Sequence, residues 1–182
     1  VASILQGTLL ETLPDLVFVP SPVEVHPDHR AVAEAFLSLF AGEPGGRLVA
    51  GLPGGGRVAF YEVSQPIRPN VLVDVSAHAA RKDAAVAAFA SQLTGRDYAA
   101  FARGIGVYRR MSLPAEVTAA EAFFLLPLAA LPTVEPLRLM RALGPTLRAD
   151  DVVPEGPGPD LGREEPASTR PVAPSPSRAP VV

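Results

Sequence analysis

The chain has 182 residues, of which 48% are hydrophobic, so it can form one packed domain of ordinary size. Its formal charge is −3, which gives no reason to expect a nucleic-acid partner or a polybasic membrane anchor. It contains no cysteine, which excludes disulfides and thiolate metal sites, and no apolar run is long enough to span a bilayer. This composition fits a cytoplasmic protein.

The first two predicted elements are an amphipathic helix over residues 2–13 and a short strand over residues 16–19. The strand is a continuous apolar run, which is typical of a parallel strand buried on both faces. Apolar residues of the helix recur with helical spacing and are predicted to face the core. These residues are Ile4, Leu5, Leu9 and Leu13.

The loop that follows the strand carries several residues capable of acid–base or metal chemistry. Pro27 suits the first turn of a helix, because it has no N–H to satisfy and its φ is already fixed. We therefore predict a helix over residues 27–40. The loop then lies just beyond the carboxyl end of a strand, which is where ligands bind in open α/β sheets. Its candidate functional residues are Glu24, His26, Asp28 and His29.

His26 and His29 are spaced by one helical turn, so both rings could point into one crevice. Neutral imidazole is a common zinc ligand, and a catalytic zinc usually takes three protein ligands and a water. Asp28 lies between the two histidines and is a candidate to orient a ring N–H. Two histidines at a helix start, taken alone, are more often solvated caps. The zinc interpretation therefore depends on the surrounding sequence.

The middle of the chain predicts a mixture of strands and helices. The run at residues 43–46 is predicted to end the second helix, and the glycine-rich turn at residues 51–56 is interpreted as a connector, because it lacks the pattern of a phosphate-binding loop. Strands are predicted at 48–50, 57–64 and 71–75, helices at 76–93 and 97–111, and an extended segment or sheet edge at 119–126.

The helix at 76–93 is alanine-rich, and its predicted core side ends at Phe89, whereas His78 in its first turn is interpreted as a surface residue.

Arginines near the mouth of a pocket could hold a substrate phosphate or carboxylate. The candidates are Arg103, Arg109 and Arg110, and the sequence does not discriminate among them.

The pattern decays toward the C-terminus. Residues 131–150 are predicted to form an extension with one short helix at 134–143. Residues 151–182 are rich in proline and lack periodicity, so we predict a disordered tail that cannot bury enough apolar surface to fold. The P-x-x-P match at 171–174 is expected by composition alone in such a tail.

The string P-D-L-V-F-V-P-S-P-V-E-V-H-P-D-H-R-A, residues 14–31, resembles the second signature of the PIG-L/LmbE-like deacetylases. These zinc-dependent enzymes remove N-acetyl groups from N-acetylglucosamine-type substrates. The similarity covers about residues 1–128, and H-P-D-H is its most specific part. Weaker matches follow in the family's order at Tyr61–Ser64, Val71–Val75, Arg81–Lys82, Ser91–Gln92 and Ala119–Phe123.

The resemblance implies a fold, a cofactor and residue roles. The expected fold is a Rossmann-like three-layer α/β/α domain with a mostly parallel sheet, and the expected cofactor is zinc. By analogy His29 is a zinc ligand, and His26 stabilises the tetrahedral intermediate or acts as general acid. Glu24 faces the same crevice, where it contacts substrate or shapes the loop, and Glu121 is a second-shell partner or a salt-bridged surface residue. The implied substrate is an acetylated amino sugar, and homo-oligomerisation is left open.

The sequence departs from the family in one important respect. The family's first signature, an H-P-D-D-E-like motif, supplies the other two zinc ligands and the general-base Asp, and no such motif is found here. We therefore expect residues 1–130 to be the C-terminal part of a deacetylase domain whose first strands precede Val1. The strand at 16–19 should then have an unpaired edge and an uncovered face.

Two other interpretations of the sequence are open. One is a degenerate, non-catalytic relative that lost the first metal motif and binds a sugar or a partner. The other is an α/β domain in which the histidines are incidental. The order of segments, rather than any single motif, favours the deacetylase.

Overall fold

A computed structural model describes residues 2–144 of the chain, and the predicted tail at 151–182 with its P-x-x-P match lies outside that range. The helices are α1 (Ala2–Thr12), α2 (Pro27–Leu39), α3 (Gly42–Ala50), α4 (Ala79–Ala87), α5 (Tyr98–Arg109) and α6 (Pro136–Leu143). The strands are β1 (Leu16–Pro20), β2 (Arg57–Tyr61), β3 (Val71–Asp74) and β4 (Ala120–Pro127). None of the helices described between residues 2 and 144 has the length and apolarity needed to cross a membrane.

The four strands form one mixed sheet in the order β1-β2-β4-β3. β1 and β2 are parallel, whereas β4 runs antiparallel to both β2 and β3. The α/β class is confirmed, but the expectation of a mostly parallel sheet is wrong. The segment with α4 and α5 brings the chain back to the end of the sheet at which β3 stops. β4 therefore starts at Ala120, opposite Asp74, and runs in the direction opposite to β3. The segment predicted as an extended edge is consequently an interior strand.

The core lies on one face of this sheet. Val58 and Phe60 of β2 are fully buried there, against Phe36 and Phe40 from the second helical segment. Leu143 of α6 is also fully buried in the same cluster, so the chain beyond residue 130 contributes to this core. Apolar burial of this kind is the main stabilising contribution in a domain of this size.

The opposite face of β1 is less covered. The prediction that this strand is buried on both faces is wrong, because Leu16 is 40% and Phe18 57% exposed, whereas Val19 is buried. Among the described strands, β1 pairs on one side only, with β2. Continuous apolar sequence therefore does not correspond here to burial on both faces, and Phe18 keeps an edge-on contact with Phe123 of β4.

Several other local predictions are wrong. Residues 48–50 belong to helix α3 rather than to a strand. The second helix ends at Leu39, close to the predicted position, but the run at 43–46 that was expected to follow it as a loop lies within α3. The predicted helix at 76–93 contains a shorter helix, α4, flanked by 3-10 turns, and none of its residues is buried. Phe89, expected in the core, is 66% exposed. Alanine side chains bury little apolar area, so the spacing of alanines along a helix predicts its buried face only weakly.

A glycine permits the close contact between α2 and α3. Gly45 is buried in α3, and a Cβ atom at this position would overlap the backbone carbonyl of Phe40 at the end of α2. The next residue, Gly46, is exposed, and a Cβ there would meet no atom within 4 Å. The two adjacent glycines therefore differ in what they contribute to packing.

We predict that Gly45→Ala lowers the free energy of unfolding by about 2 kcal/mol or more, because the new methyl group must displace the backbone of Phe40. Gly46→Ala is the matched control and should raise it by about 0.5–1 kcal/mol, because alanine is the better helix former and the site is open. Urea denaturation of both variants measures this. Equal effects of the two substitutions would contradict the described packing of α2 on α3.

Candidate functional site

The candidate site lies at the carboxyl end of the parallel pair β1 and β2. The two strands are in register, with Pro20 opposite Tyr61, so the loops that follow them start side by side. The Ser21 N–H continues the ladder by donating to the Tyr61 carbonyl at 2.9 Å. The first loop leads into α2 and carries the H-P-D-H motif, as the sequence predicted.

Glu24 joins the two loops. Its side chain is fully buried, and its carboxylate accepts backbone N–H groups from Val63 at 2.7 Å, Ser64 at 3.0 Å and Gln65 at 3.1 Å. A buried carboxylate is tolerable only when donors of this kind compensate its lost hydration. Of the two roles considered for Glu24, the structure therefore supports shaping of the loop.

A buried ion pair holds the second loop from the other side. Arg109 of α5 binds Glu62 through two hydrogen bonds, and its guanidinium also donates to the Ile67 carbonyl at 2.7 Å. Both side chains are more than 90% buried. Arg103 lies 3.5 Å from Asp83. Two of the three arginines considered as anion ligands are therefore engaged within the protein.

His26 is the N-cap residue of α2. Its Nδ1 accepts the backbone N–H of Asp28 at 3.2 Å, so the neutral ring carries its proton on Nε2 and can donate from there. The Asp28 carboxylate is 86% exposed and lies 3.9 Å from Nδ1, beyond hydrogen-bond range. The backbone amide of Asp28, rather than its carboxylate, orients the ring.

His29 lies beside His26, with 5.0 Å between the ring centroids. Its Nδ1 is buried and has no hydrogen-bond partner among the described residues. The neighbouring Glu24 carboxylate is 3.9 Å away, outside hydrogen-bond range. Buried polar atoms normally have partners, so this nitrogen is a candidate to carry the ring proton, which leaves Nε2 as the free acceptor.

The described residues fit a metal ion only in part. His29 offers the ring chemistry that zinc prefers. Between residues 2 and 144, however, no group of three or more His, Cys, Asp or Glu side chains is arranged to hold a metal ion. The carboxylate of Glu24 is already occupied by its three backbone donors. This part of the chain therefore supplies a candidate ligand without completing a tetrahedral site.

Glu121 lies on β4 and contacts Lys82. Its carboxylate forms a 2.7 Å ion pair with Lys82, and both residues line a second cavity of about 570 Å³ together with Tyr61. The pKa of Tyr61 is raised above 10.0, first because the phenol is partly buried and second because the Glu24 charge is near. The sequence assigned Tyr61 no role of its own, since nothing local predicts this proximity.

A cavity of about 640 Å³ opens next to His26. Its walls come from the two loops and from the start of α5, where Arg96, Tyr98 and Phe101 line it. None of these three residues was predicted to belong to the site. The sequence does show two aromatic residues with helical spacing next to an arginine. That pattern is common on helix surfaces and does not by itself indicate a binding site.

Comparison with known proteins supports the fold. No protein-family model matches the chain, and no curated protein matches it. A conserved protein from Thermus thermophilus is similar with a TM-score of 0.56 and 28% identity, over 69% of this chain and 58% of that one. An inhibitor complex of N,N'-diacetylchitobiose deacetylase from Pyrococcus horikoshii is similar with a TM-score of 0.55 and 24% identity, over 71% and 52%.

These similarities establish the class of fold to which the chain belongs. The chain has the α/β architecture of both solved structures and spans between half and three-fifths of their length. At this level of identity, the likeness to the deacetylase concerns the fold alone.

We predict that Glu24→Gln lowers the free energy of unfolding by about 2 kcal/mol or more, because a neutral amide oxygen accepts the three backbone N–H groups less strongly than a carboxylate and its NH2 group faces the Ser64 N–H. Glu43→Gln is the control: this carboxylate is 83% exposed and pairs only weakly with Arg47, so the change should stay below about 0.5 kcal/mol. Chemical denaturation measures both values. An unchanged midpoint for the Glu24 variant would contradict the joining of the loops by this carboxylate.

A second prediction concerns alkaline pH. Because the pKa of Tyr61 is raised in the folded state, the unfolded chain loses this proton first as the pH rises. Stability should therefore fall as the pH increases through about 10, and Tyr61→Phe should reduce that fall. Free energies of unfolding between about pH 8 and about pH 11 test this, with exposed Tyr108→Phe as control. Identical pH dependence in the wild type and the Tyr61 variant would overturn the assignment.

Proposed function

We propose that this chain carries part of the active site of a zinc-dependent amide hydrolase that removes the N-acetyl group from an acetylated amino sugar. The observation that carries the proposal is the pair of histidine rings 5.0 Å apart at the carboxyl end of β1. One ring lines a cavity, and the other has a buried nitrogen without a partner among the described residues. The resemblance of the H-P-D-H loop to the PIG-L/LmbE-like signature and the deacetylase-like fold support it.

His29 is proposed as a metal ligand. A proton on Nδ1, on the side of Glu24, leaves the lone pair of Nε2 available to a metal. A bound zinc ion would supply Lewis-acid activation of water and of the acetyl carbonyl. In this proposal the remaining ligands and the general base are those of the motif that the family carries before this loop.

His26 is proposed to act on the oxygen of the scissile amide. The Asp28 N–H donates to Nδ1, which requires Nδ1 to be unprotonated and leaves the ring proton on Nε2. An Nε2–H donor can meet the negative charge that develops on the carbonyl oxygen. Transfer of a proton to the leaving amine would require a protonated ring, and that ring would have to give up the Asp28 contact. The geometry therefore favours oxyanion stabilisation over general-acid catalysis.

We predict that His29→Ala abolishes stoichiometric zinc binding by the natural full-length protein, whereas His26→Ala retains zinc but lowers kcat by about a hundredfold or more. Zinc content is measured by elemental analysis, and turnover by release of acetate from N,N'-diacetylchitobiose. His78→Ala is the control, because this exposed histidine lies outside the site.

Each role has its own contradicting result. Full zinc content in the His29 variant would remove this residue from the ligand set. Unchanged turnover in the His26 variant would remove its role at the oxyanion. A wild-type protein that neither holds zinc nor releases acetate would favour a non-catalytic binding module.

A further inference from the structure

The cavity beside His26 has a composition that deacetylation alone does not require. Its volume of about 640 Å³ is in the range that holds a small organic ligand. The walls come from residues 25–27, residues 63–66 and the segment 96–105. Most of the lining side chains are apolar: Val25, Pro27, Val63, Pro66, Ala100, Phe101 and Ile105, with the Tyr98 ring beside them.

Several of these apolar side chains are exposed. Val25 is 62%, Val63 46%, Tyr98 41% and Phe101 65% accessible. Single exposed apolar residues are normal on a protein surface, but a set gathered around one concavity is typical of a binding site. The Tyr98 and Phe101 rings are 6.4 Å apart, so they present aromatic surface from the first turn of α5.

The cavity also has a distinct charge. Among the described residues no Asp or Glu lines it, and Arg96 supplies its permanent charge. Between residues 2 and 144, Arg96 has no carboxylate within 4.0 Å, in contrast to Arg103 and Arg109, which pair with acidic residues. The adjacent Asp97 is engaged as the N-cap of α5, where it accepts the Ala100 N–H at 2.9 Å. An anion is therefore the complementary ligand.

The cavity of about 570 Å³ that Glu121 lines differs in its charge. It contains Lys82, but the 2.7 Å ion pair with Glu121 offsets that charge. The walls of the first cavity are also held in place, because the Ser64 N–H is bound to the Glu24 carboxylate. A preformed wall lowers the entropic cost of binding.

We propose that this cavity binds an amphiphilic anion, with a flat apolar group against Tyr98 and Phe101 and a carboxylate, phosphate or sulfonate group on Arg96. In the proposed hydrolase this would be the part of the substrate that lies beyond the acetyl group. That link to catalysis rests on the proposed function, whereas the binding itself does not.

The test uses two fluorescent probes and the full chain. 8-Anilino-1-naphthalenesulfonate is a flat apolar anion, and N-phenyl-1-naphthylamine is its neutral counterpart. We expect saturable binding of the anionic probe. Arg96→Gln should weaken that binding about tenfold and change binding of the neutral probe by less than about twofold. Phe101→Ala should weaken both probes, because both use the aromatic wall.

The controls separate the cavity from the rest of the apolar surface. Met111 is 81% exposed and Arg81 is exposed, and neither lines the cavity, so Met111→Ala and Arg81→Gln should leave both affinities unchanged. The proposal is overturned if Arg96→Gln and Phe101→Ala do not affect the anionic probe, or if the controls weaken it equally. Neither probe contains an acetyl amide, so this outcome is independent of zinc binding and turnover.

Discussion

The organisation of this site depends on one buried carboxylate. Glu24 leaves the end of β1 and accepts hydrogen bonds from three successive backbone N–H groups that follow β2. Neighbouring parallel strands bring two loops to one edge of a sheet, but they do not fix the distance between those loops. The Glu24 carboxylate supplies that constraint, and Arg109 reinforces it from α5 through Glu62.

The two histidines and the cavity follow from this constraint. Once the first loop is fixed, Pro27 starts α2 and His26 takes the N-cap position, which sets the orientation of its ring. His29 then lies one turn later, next to the same Glu24. The second loop forms the wall of the cavity that faces α5. The buried carboxylate of Glu24 therefore helps to position the His26 ring, the candidate metal ligand His29 and one wall of the cavity.

The sequence predicted the parts of this arrangement that depend on local signals. Pro27 indicated the helix start, and the apolar run before the loop indicated β1, because caps and strand ends are set by adjacent residues. The direction of β4 and the contact between Glu24 and Ser64 could not be predicted, since they depend on residues far apart in the chain. The position of Phe101 in the cavity wall could not be predicted for a similar reason, because the other walls come from residues far away in the chain.

We propose that the H-P-D-H loop belongs to a metal-dependent hydrolytic site. The most direct measurement is anomalous diffraction at the zinc edge from crystals of the natural full-length protein. We expect an anomalous peak about 2.0–2.1 Å from a ring nitrogen of His29, the bonding distance for zinc and imidazole. A zinc peak bound elsewhere, or a His29 ring that is hydrogen-bonded to protein with no metal beside it, would contradict the proposed role of His29.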